Sequence, residues 1–316
     1  LSVYLLGTLF VELSVGLNTF INTQGRPAIA MCSVLIGAIL NILLDPLFIF
    51  TLDMGTAGAA LATGLSQFIS FCILLWMCNH QDSCISISIR KFRPKLAIYR
   101  EILYGGIPSL GRQGIASVAT ILMNFMCQPY GDAAIAAMSI VSRFMFFINS
   151  VIIGFGQGFQ PVCSYCFGAG LYDRVKKACW FCIRVSTIIL LVLSVISFPA
   201  ARSIITLFRR NDPTVIEIGT LALRLQLITL PLQGAVIMGN MMPQSIGYGF
   251  RATLVSTARQ GIFLIPLLTI MTYTIGLLGI QCAQPLADIA TFILSLFVIR
   301  GIFKEFPEDA SSFAAQ

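Results

Sequence analysis

Nine runs of mostly apolar residues, most of them about 20 residues or longer, follow one another along the chain, at roughly 1–22, 27–51, 56–78, 102–128, 133–167, 180–206, 214–243, 252–273 and 277–303. A helix of about 20 residues matches the hydrocarbon thickness of a bilayer. Within lipid a spanning backbone must satisfy its own hydrogen bonds, which leaves helices or closed barrels. Runs this long and continuous predict an all-α polytopic membrane protein with about nine transmembrane helices. Hydrophobic residues make up 57% of the chain and charged residues 10%, against about 25% charged in a soluble domain. That balance excludes a soluble globular protein, a disordered chain, collagen and a disulfide-stapled miniprotein.

The net charge of +7 does not point to nucleic acid, because basic residues collect on the cytoplasmic loops of membrane proteins. One set of loops carries Arg26; then Arg90, Lys91, Arg93, Lys95 and Arg100; then Arg174, Lys176 and Lys177; then Arg251; then Arg300 and Lys304. The other set carries Asp53, Asp132 and Asp212, with Arg209 and Arg210 as its exception. The first set is expected in the cytoplasm, together with the carboxyl terminus. Leu1 then starts near the outer face, already inside an apolar run and with no signal or transit peptide visible. The chain reads as the later part of something longer. The ten cysteines lie mostly within apolar runs and read as small buried residues. Cys163-x-x-Cys166 and Cys179-x-x-Cys182 have metal-like spacing, but His80 is the only histidine, and no structural metal centre is expected.

An internal repeat appears. Asp45-Pro46 followed by Gly55-x-x-Gly58 is echoed by Ile265-Pro266 followed by Gly276-x-x-Gly279, with offsets of 220 for the prolines and 221 for the glycines. Each set reads as a proline-broken helix, a short outer loop and a small-residue start to the next helix. Gly25-Arg26 and Gly249-x-Arg251 mark the turns before them. Both sets run in the same direction, as in a parallel-repeat transporter. The expected organisation is residues 1–78 as the last three helices of an amino-terminal lobe, 79–100 as a cytoplasmic inter-lobe linker, 101–303 as a complete six-helix carboxy-terminal lobe, and 304–316 as a cytoplasmic tail. About three helices are expected upstream.

Ionisable residues inside spans cost about 2.5–3.5 kcal/mol near the bilayer centre on insertion scales, so they face a cavity or a partner. The candidates are Glu12, Asp45, Arg112, Arg143, Arg224, Arg259 and Asp288. Asp45 stands out. Asn41 precedes it by four residues, on the same helix face. Pro46 lacks an N–H and so leaves the Ile42 carbonyl without its helical partner. A carboxylate, an amide oxygen and a free carbonyl suit a hard cation, and the same carboxylate suits a proton. A helix cap near the outer loop is the structural alternative. Asn18 and Asn22 repeat the four-residue spacing on the preceding helix. Arg259 and Asp288 are candidates for an interhelical ion pair. Arg112 and Gln113 sit near the inner end of the fourth span, where Arg112 could snorkel to the cytoplasm. Arg143 has no obvious partner in the sequence. The stretch Gly154-Phe-Gly-Gln-Gly-Phe-Gln-Pro-Val lacks the preceding strand that a dinucleotide fingerprint needs, so its glycines read as close packing or a bend. Gln157 and Gln160 should face protein or a cavity. One histidine and no convergent nucleophile–base set leave no case for an enzyme.

Several of these runs resemble multidrug and toxic compound extrusion (MATE) transporters: Asn-Thr-Gln-Gly-Arg-Pro at 22–27, Asn-Ile-Leu-Leu-Asp-Pro-Leu-Phe-Ile-Phe at 41–50 and Gly-Thr-Ala-Gly-Ala-Ala-Leu-Ala-Thr at 55–63. Gly-Ile-Pro-Ser-Leu-Gly-Arg-Gln at 106–113, Pro-Tyr-Gly-Asp-Ala-Ala-Ile-Ala-Ala-Met at 129–138 and Gly-Phe-Gly-Gln-Gly-Phe-Gln-Pro at 154–161 do so too. The resemblance spans nearly the whole chain. It implies twelve helices in two six-helix lobes around a central cavity, and export of small-molecule drugs, often organic cations, in exchange for protons or sodium ions. Asn41 and Asp45 match the family's amino-terminal-lobe cation site, with Asn18 as a match from the neighbouring helix. Gln157, Gln160, Met138, Arg112 and Gln113 are the substrate-cavity candidates. Arg112-Gln113 stands where some members carry a second-lobe glutamate, so no second cation site is carried over. No cofactor is expected, and no metal beyond a sodium site at Asp45. A monomer in the plasma (inner) membrane is expected. The alternatives are a lipid-linked sugar flippase of the same superfamily and an inactive membrane fragment.

Overall fold

The computed structural model describes the backbone of residues 2–23, 27–80, 95–209 and 212–306, and the side chains among them except 2–6, 23, 27, 78–80, 97–98 and 101–112. Two compact units divide at Lys95 and Leu96.

The first unit holds α1 (Ser2–Thr23), α2 (Pro27–Pro46), a π-helical segment Leu47–Thr51 and α3 (Gly55–His80). The expected break at Pro46 is a widening instead. Past Pro46 the chain runs on as π-helix, where Leu52 N donates to Leu47 O at 3.1 Å, and Met54 N closes the following turn on Phe48 O at 3.2 Å. α1 and α3 approach closely at Gly7 and Gly64, where a Cβ on Gly7 would stand 3.0 Å from the Gly64 Cα. Small residues permit such contact in lipid, where no hydrophobic force drives helices together. Leu17, Ile21, Ala30 and Leu74 form the small core. Ser70 Oγ donates to Ser33 O at 3.0 Å and ties α3 to α2.

The second unit holds α4 (Leu96–Cys127), α5 (Asp132–Gly168) and α6 (Tyr172–Phe208). It continues with α7 (Pro213–Thr229) running through a 3₁₀ turn at Leu230–Leu232 into α8 (Gln233–Ser245). α9 (Gly249–Thr257), a π segment Ala258–Phe263 and α10 (Leu264–Ile275) make the next rod, and α11 (Leu277–Glu305) the last. Among the described residues this makes nine helical rods in the chain. Seven of them are long and apolar enough to cross a membrane. Asp212 caps α7, its carboxylate accepting from Val215 N at 3.4 Å, with Pro213 next. Around the segment 79–100, α3 runs to His80 and α4 starts at Leu96. Residues 81–94 lie outside the described residues.

The repeat is legible inside each unit. Asn18 Nδ2 donates to Ala30 O at 3.1 Å, and Asn240 Nδ2 donates to Ala252 O at 2.8 Å. In both, an amide near the end of one helix holds a carbonyl in the first turn of the next, 12 residues on. The glycines recur with cause. Gly55 and Gly276 have φ of +54° and +70°, which side chains seldom adopt. A Cβ on Gly58 would stand 2.7 Å from the Phe48 carbonyl oxygen, and one on Gly279 would stand 2.0 Å from that of Met271. The turn glycine before α9 is Gly247, with φ +89°, rather than Gly249. The offset of 222 set by the two asparagines pairs Gly247 with Gly25 in the sequence.

Candidate functional site

α2 places Asn41 and Asp45 one turn apart, and α3 returns from the tight turn at 52–54 to set Thr63 against Asn41. Asn41 Nδ2 donates to Thr63 Oγ1 at 3.3 Å. The Thr63 hydroxyl in turn donates to Ala59 O at 2.9 Å, one turn back on its own helix. With its nitrogen committed to Thr63, the Asn41 amide has its oxygen directed elsewhere. The Asp45 Oδ1 atom is buried and has no hydrogen-bond partner among the described residues. A buried polar atom left unpaired is costly and calls for an occupant. A buried, unpartnered carboxylate oxygen thus stands one helical turn from the Asn41–Thr63 bond and beside a π-helical segment; carboxylate, amide and hydroxyl oxygens are ligands that suit a hard cation, and a carboxylate also suits a proton. Thr63 was missed in the sequence. Counting outward from the turn could have found it, since Asn41 and Thr63 stand at similar distances either side of residues 52–54.

The other candidates fall in different places. Asn18 does not join Asp45. Its amide nitrogen holds Ala30 O, and its oxygen accepts from Asn22 Nδ2 at 3.0 Å. Ala30 is 15 residues before Asp45 on the same helix, or about 22 Å at 1.5 Å per residue. Asn18 is a hairpin clamp, and its spacing to Asn22 serves that clamp. Glu12 is exposed on α1. Met138 is no cavity residue: it is 1% exposed and packed in the core of the second unit. Gln157 is exposed, and Gln160 donates to Gln244 Oε1 at 3.4 Å. Gln113 is exposed; the side chain of Arg112 lies outside the described residues. Arg259 Nε donates to Asp288 Oδ1 at 2.9 Å, and Gln284 Nε2 reaches the same oxygen at 3.2 Å. Asp288 is 1% exposed and compensated from within the protein. Arg224 lies over the Phe198 ring, 5.5 Å from its centroid.

The MatE family model matches residues 108–278, more than half of the chain. The chain belongs to the MatE family. MatE proteins of this kind are transporters and not enzymes, and the long apolar helices agree with that. The chain is 28% identical over 312 residues to the multidrug export protein MepA of Staphylococcus haemolyticus, covering 99% of this chain and 68% of that one. It is 29% identical over 299 residues to MepA of Staphylococcus saprophyticus, covering 95% and 66%. Among solved structures, a MATE protein in complex with MaL6 superposes with a TM-score of 0.88 at 25% identity, covering 96% of this chain and 69% of that chain. This MatE protein thus spans about two thirds of the length of the relatives it matches.

Proposed function

We propose that this protein is a secondary multidrug antiporter of the plasma (inner) membrane. It exports small organic compounds, often cationic, in exchange for protons or sodium ions, with Asp45, Asn41 and Thr63 as the exchange site. The observation that carries the reading is the buried, unpartnered Asp45 oxygen beside the Asn41–Thr63 bond. MepA relatives named as multidrug export proteins supply the substrate class. Ion binding performs work only when the ion prefers one conformation, since equal affinity shifts nothing. A π-helical segment adjoining the carboxylate offers an element that can differ between two states.

The test is Asp45→Asn in the full-length protein, which keeps shape and hydrogen bonding and removes the charge. Normal insertion, retained drug binding and loss of efflux driven by an imposed proton or sodium gradient are expected. Full efflux with unchanged ion dependence would make Asp45 a helix cap and refute the exchange site.

A further inference from the structure

In the second unit, α6 carries one straight line of exposed residues. Arg184, Ile188, Leu191, Val195, Phe198 and Arg202 follow at steps of four, three, four, three and four, and all six are exposed. Eighteen residues make five full turns, so Arg202 stands in line with Arg184, about 27 Å along the axis. The hydrocarbon layer of a bilayer is about 30 Å thick. No Asp, Glu, Lys or Arg interrupts residues 185–201. The serines of this stretch turn the other way: Ser186, Ser194 and Ser197 are buried, and Ser194 Oγ donates to Leu227 O at 2.6 Å. The face between the two arginines therefore meets lipid chains, and each arginine stands at a level from which its head reaches lipid phosphates. At the Arg202 end, Arg224 of α7 lies over the Phe198 ring of the same line.

The Arg184 end is the more cationic. From Arg184 the same line runs on toward the α5–α6 turn through Phe181 and Lys177, both exposed, at steps of three and four. Lys177 and Arg184 are thus about 10 Å apart along the axis. Trp180, also exposed, flanks them, as tryptophan does at headgroup level. Among the described residues neither Lys177 nor Arg184 has a carboxylate within ion-pair distance, whereas Arg251 is held by Glu305 and Arg259 by Asp288. Asp173, four residues before Lys177, is the one acidic residue in the sequence of α6, and exposed Arg174 beside it offsets its charge. Two unanswered cations thus stand directly above an apolar strip, in the order in which a phospholipid carries its phosphate and its chains. A zwitterionic headgroup brings an ammonium of its own against these cations, and an anionic headgroup brings none.

We propose that Arg184 and Lys177 hold the headgroup of an anionic phospholipid in the leaflet at the α5–α6 end, with its acyl chains along Ile188, Leu191 and Val195. Arg184 takes the phosphate through paired N–H donors, and Lys177 adds a point charge. The site is independent of ion exchange, so its readout is lipid binding and not efflux. Full-length protein is reconstituted in vesicles of phosphatidylcholine and phosphatidylglycerol, with bromine on the chains of one lipid at a time. Bromine quenches a tryptophan that it touches, and the Trp180 signal is the difference between the protein and its Trp180→Phe variant. Phosphatidylglycerol is expected to outcompete phosphatidylcholine at Trp180 by at least about fivefold, the attraction of one basic residue near a membrane surface. Lys177→Gln combined with Arg184→Gln is expected to bring that ratio to about one. Lys304→Gln, at the same end on α11, where Phe306 meets Tyr172, is expected to leave it unchanged. Soluble glycerol phosphate is expected not to displace the brominated lipid, because the chains are held as well. Equal quenching by the two lipids in the unsubstituted protein overturns the proposal without any variant of the two basic residues. So does a preference that survives the double variant, one that Lys304→Gln abolishes, or displacement by glycerol phosphate.

Discussion

Asp45 and Asp288 are both acidic residues set in membrane helices, and their surroundings give them opposite roles. Asp288 accepts from a guanidinium and an amide on its Oδ1, so its charge is answered permanently. Removing either partner of such a buried pair costs about 3–5 kcal/mol, which marks it as architecture. The Asp45 Oδ1 is answered by nothing among the described residues, which is what an exchangeable ligand requires. Thr63 and Asn18 separate the two kinds of polar contact around it. Thr63→Val keeps the shape and removes the hydroxyl oxygen beside Asn41. The expected result is efflux that needs a several-fold steeper ion gradient, with Thr63→Ser close to wild type. Asn18→Ala is expected to leave ion dependence unchanged and to lower unfolding stability by about 1 kcal/mol, the worth of an ordinary hydrogen bond. Ion titrations of efflux and thermal unfolding in detergent check both, and a shifted ion dependence in Asn18→Ala would return that residue to the site.

The helix hairpin is the element that repeats, and its glycines are where the sequence forces its shape. Gly58 and Gly279 let their helices start against the carbonyl oxygens of Phe48 and Met271. A methyl at either position must displace backbone, which does not yield as a side-chain tip does. Gly58→Ala and Gly279→Ala are each expected to destabilise by about 1–3 kcal/mol, the usual cost of overpacking. Gly158→Ala, with open space around it, should be neutral or stabilising by the helix propensity of alanine, about 1 kcal/mol at most. Thermal unfolding of the three variants decides, and a silent Gly279→Ala would mean the turn is looser than it stands. These glycines and prolines were readable because they act on their own backbone at fixed offsets. The clamp from Asn18 to Ala30 was not readable, because an amide meeting a carbonyl across a turn leaves no spacing signature apart from any other asparagine. The four-residue step from Asn18 to Asn22 imitated that of Asn41 to Asp45 for the same reason. The π segments escaped too: Pro46 and Pro266 announce a disturbed helix without saying whether it breaks or widens. Met138 misled because methionine suits a pocket and a core equally.

At the scale of the molecule, the loop charges and the packing of the second unit agree on two ends. At one end the aromatic rings of Phe167, Tyr172 and Phe306 meet, with centroids 5.1–5.8 Å apart, and Lys176 Nζ lies 6.0 Å from the Phe306 ring centroid. There too Arg251 pairs with Glu305 and lies over Tyr248, 5.0 Å from its centroid. The α5–α6 turn, the start of α9 and the end of α11 therefore share one end, and with them Arg174, Lys176, Lys177, Arg251, Arg300 and Lys304 gather. At the other end the Tyr130 hydroxyl lies 3.2 Å from where a Cβ on Gly276 would sit, joining the turn that holds Asp132 to the one between α10 and α11. Arg209, exposed at the end of α6, is the basic residue that stands against the pattern. Bias of Lys and Arg among short loops sets orientation, and acidic residues contribute little, so the six basic residues at the first end outweigh it. The basic end, with the carboxyl terminus, is expected in the cytoplasm. In a background freed of accessible native cysteines, Asp132→Cys should react with an impermeant maleimide added to intact cells, and Lys177→Cys should react only after the membrane is opened. Each position checks the other, because both belong to one packed unit and cannot turn over separately. Labelling of Lys177→Cys from outside, with Asp132→Cys protected, would invert the second unit and place the carboxyl terminus outside the cell.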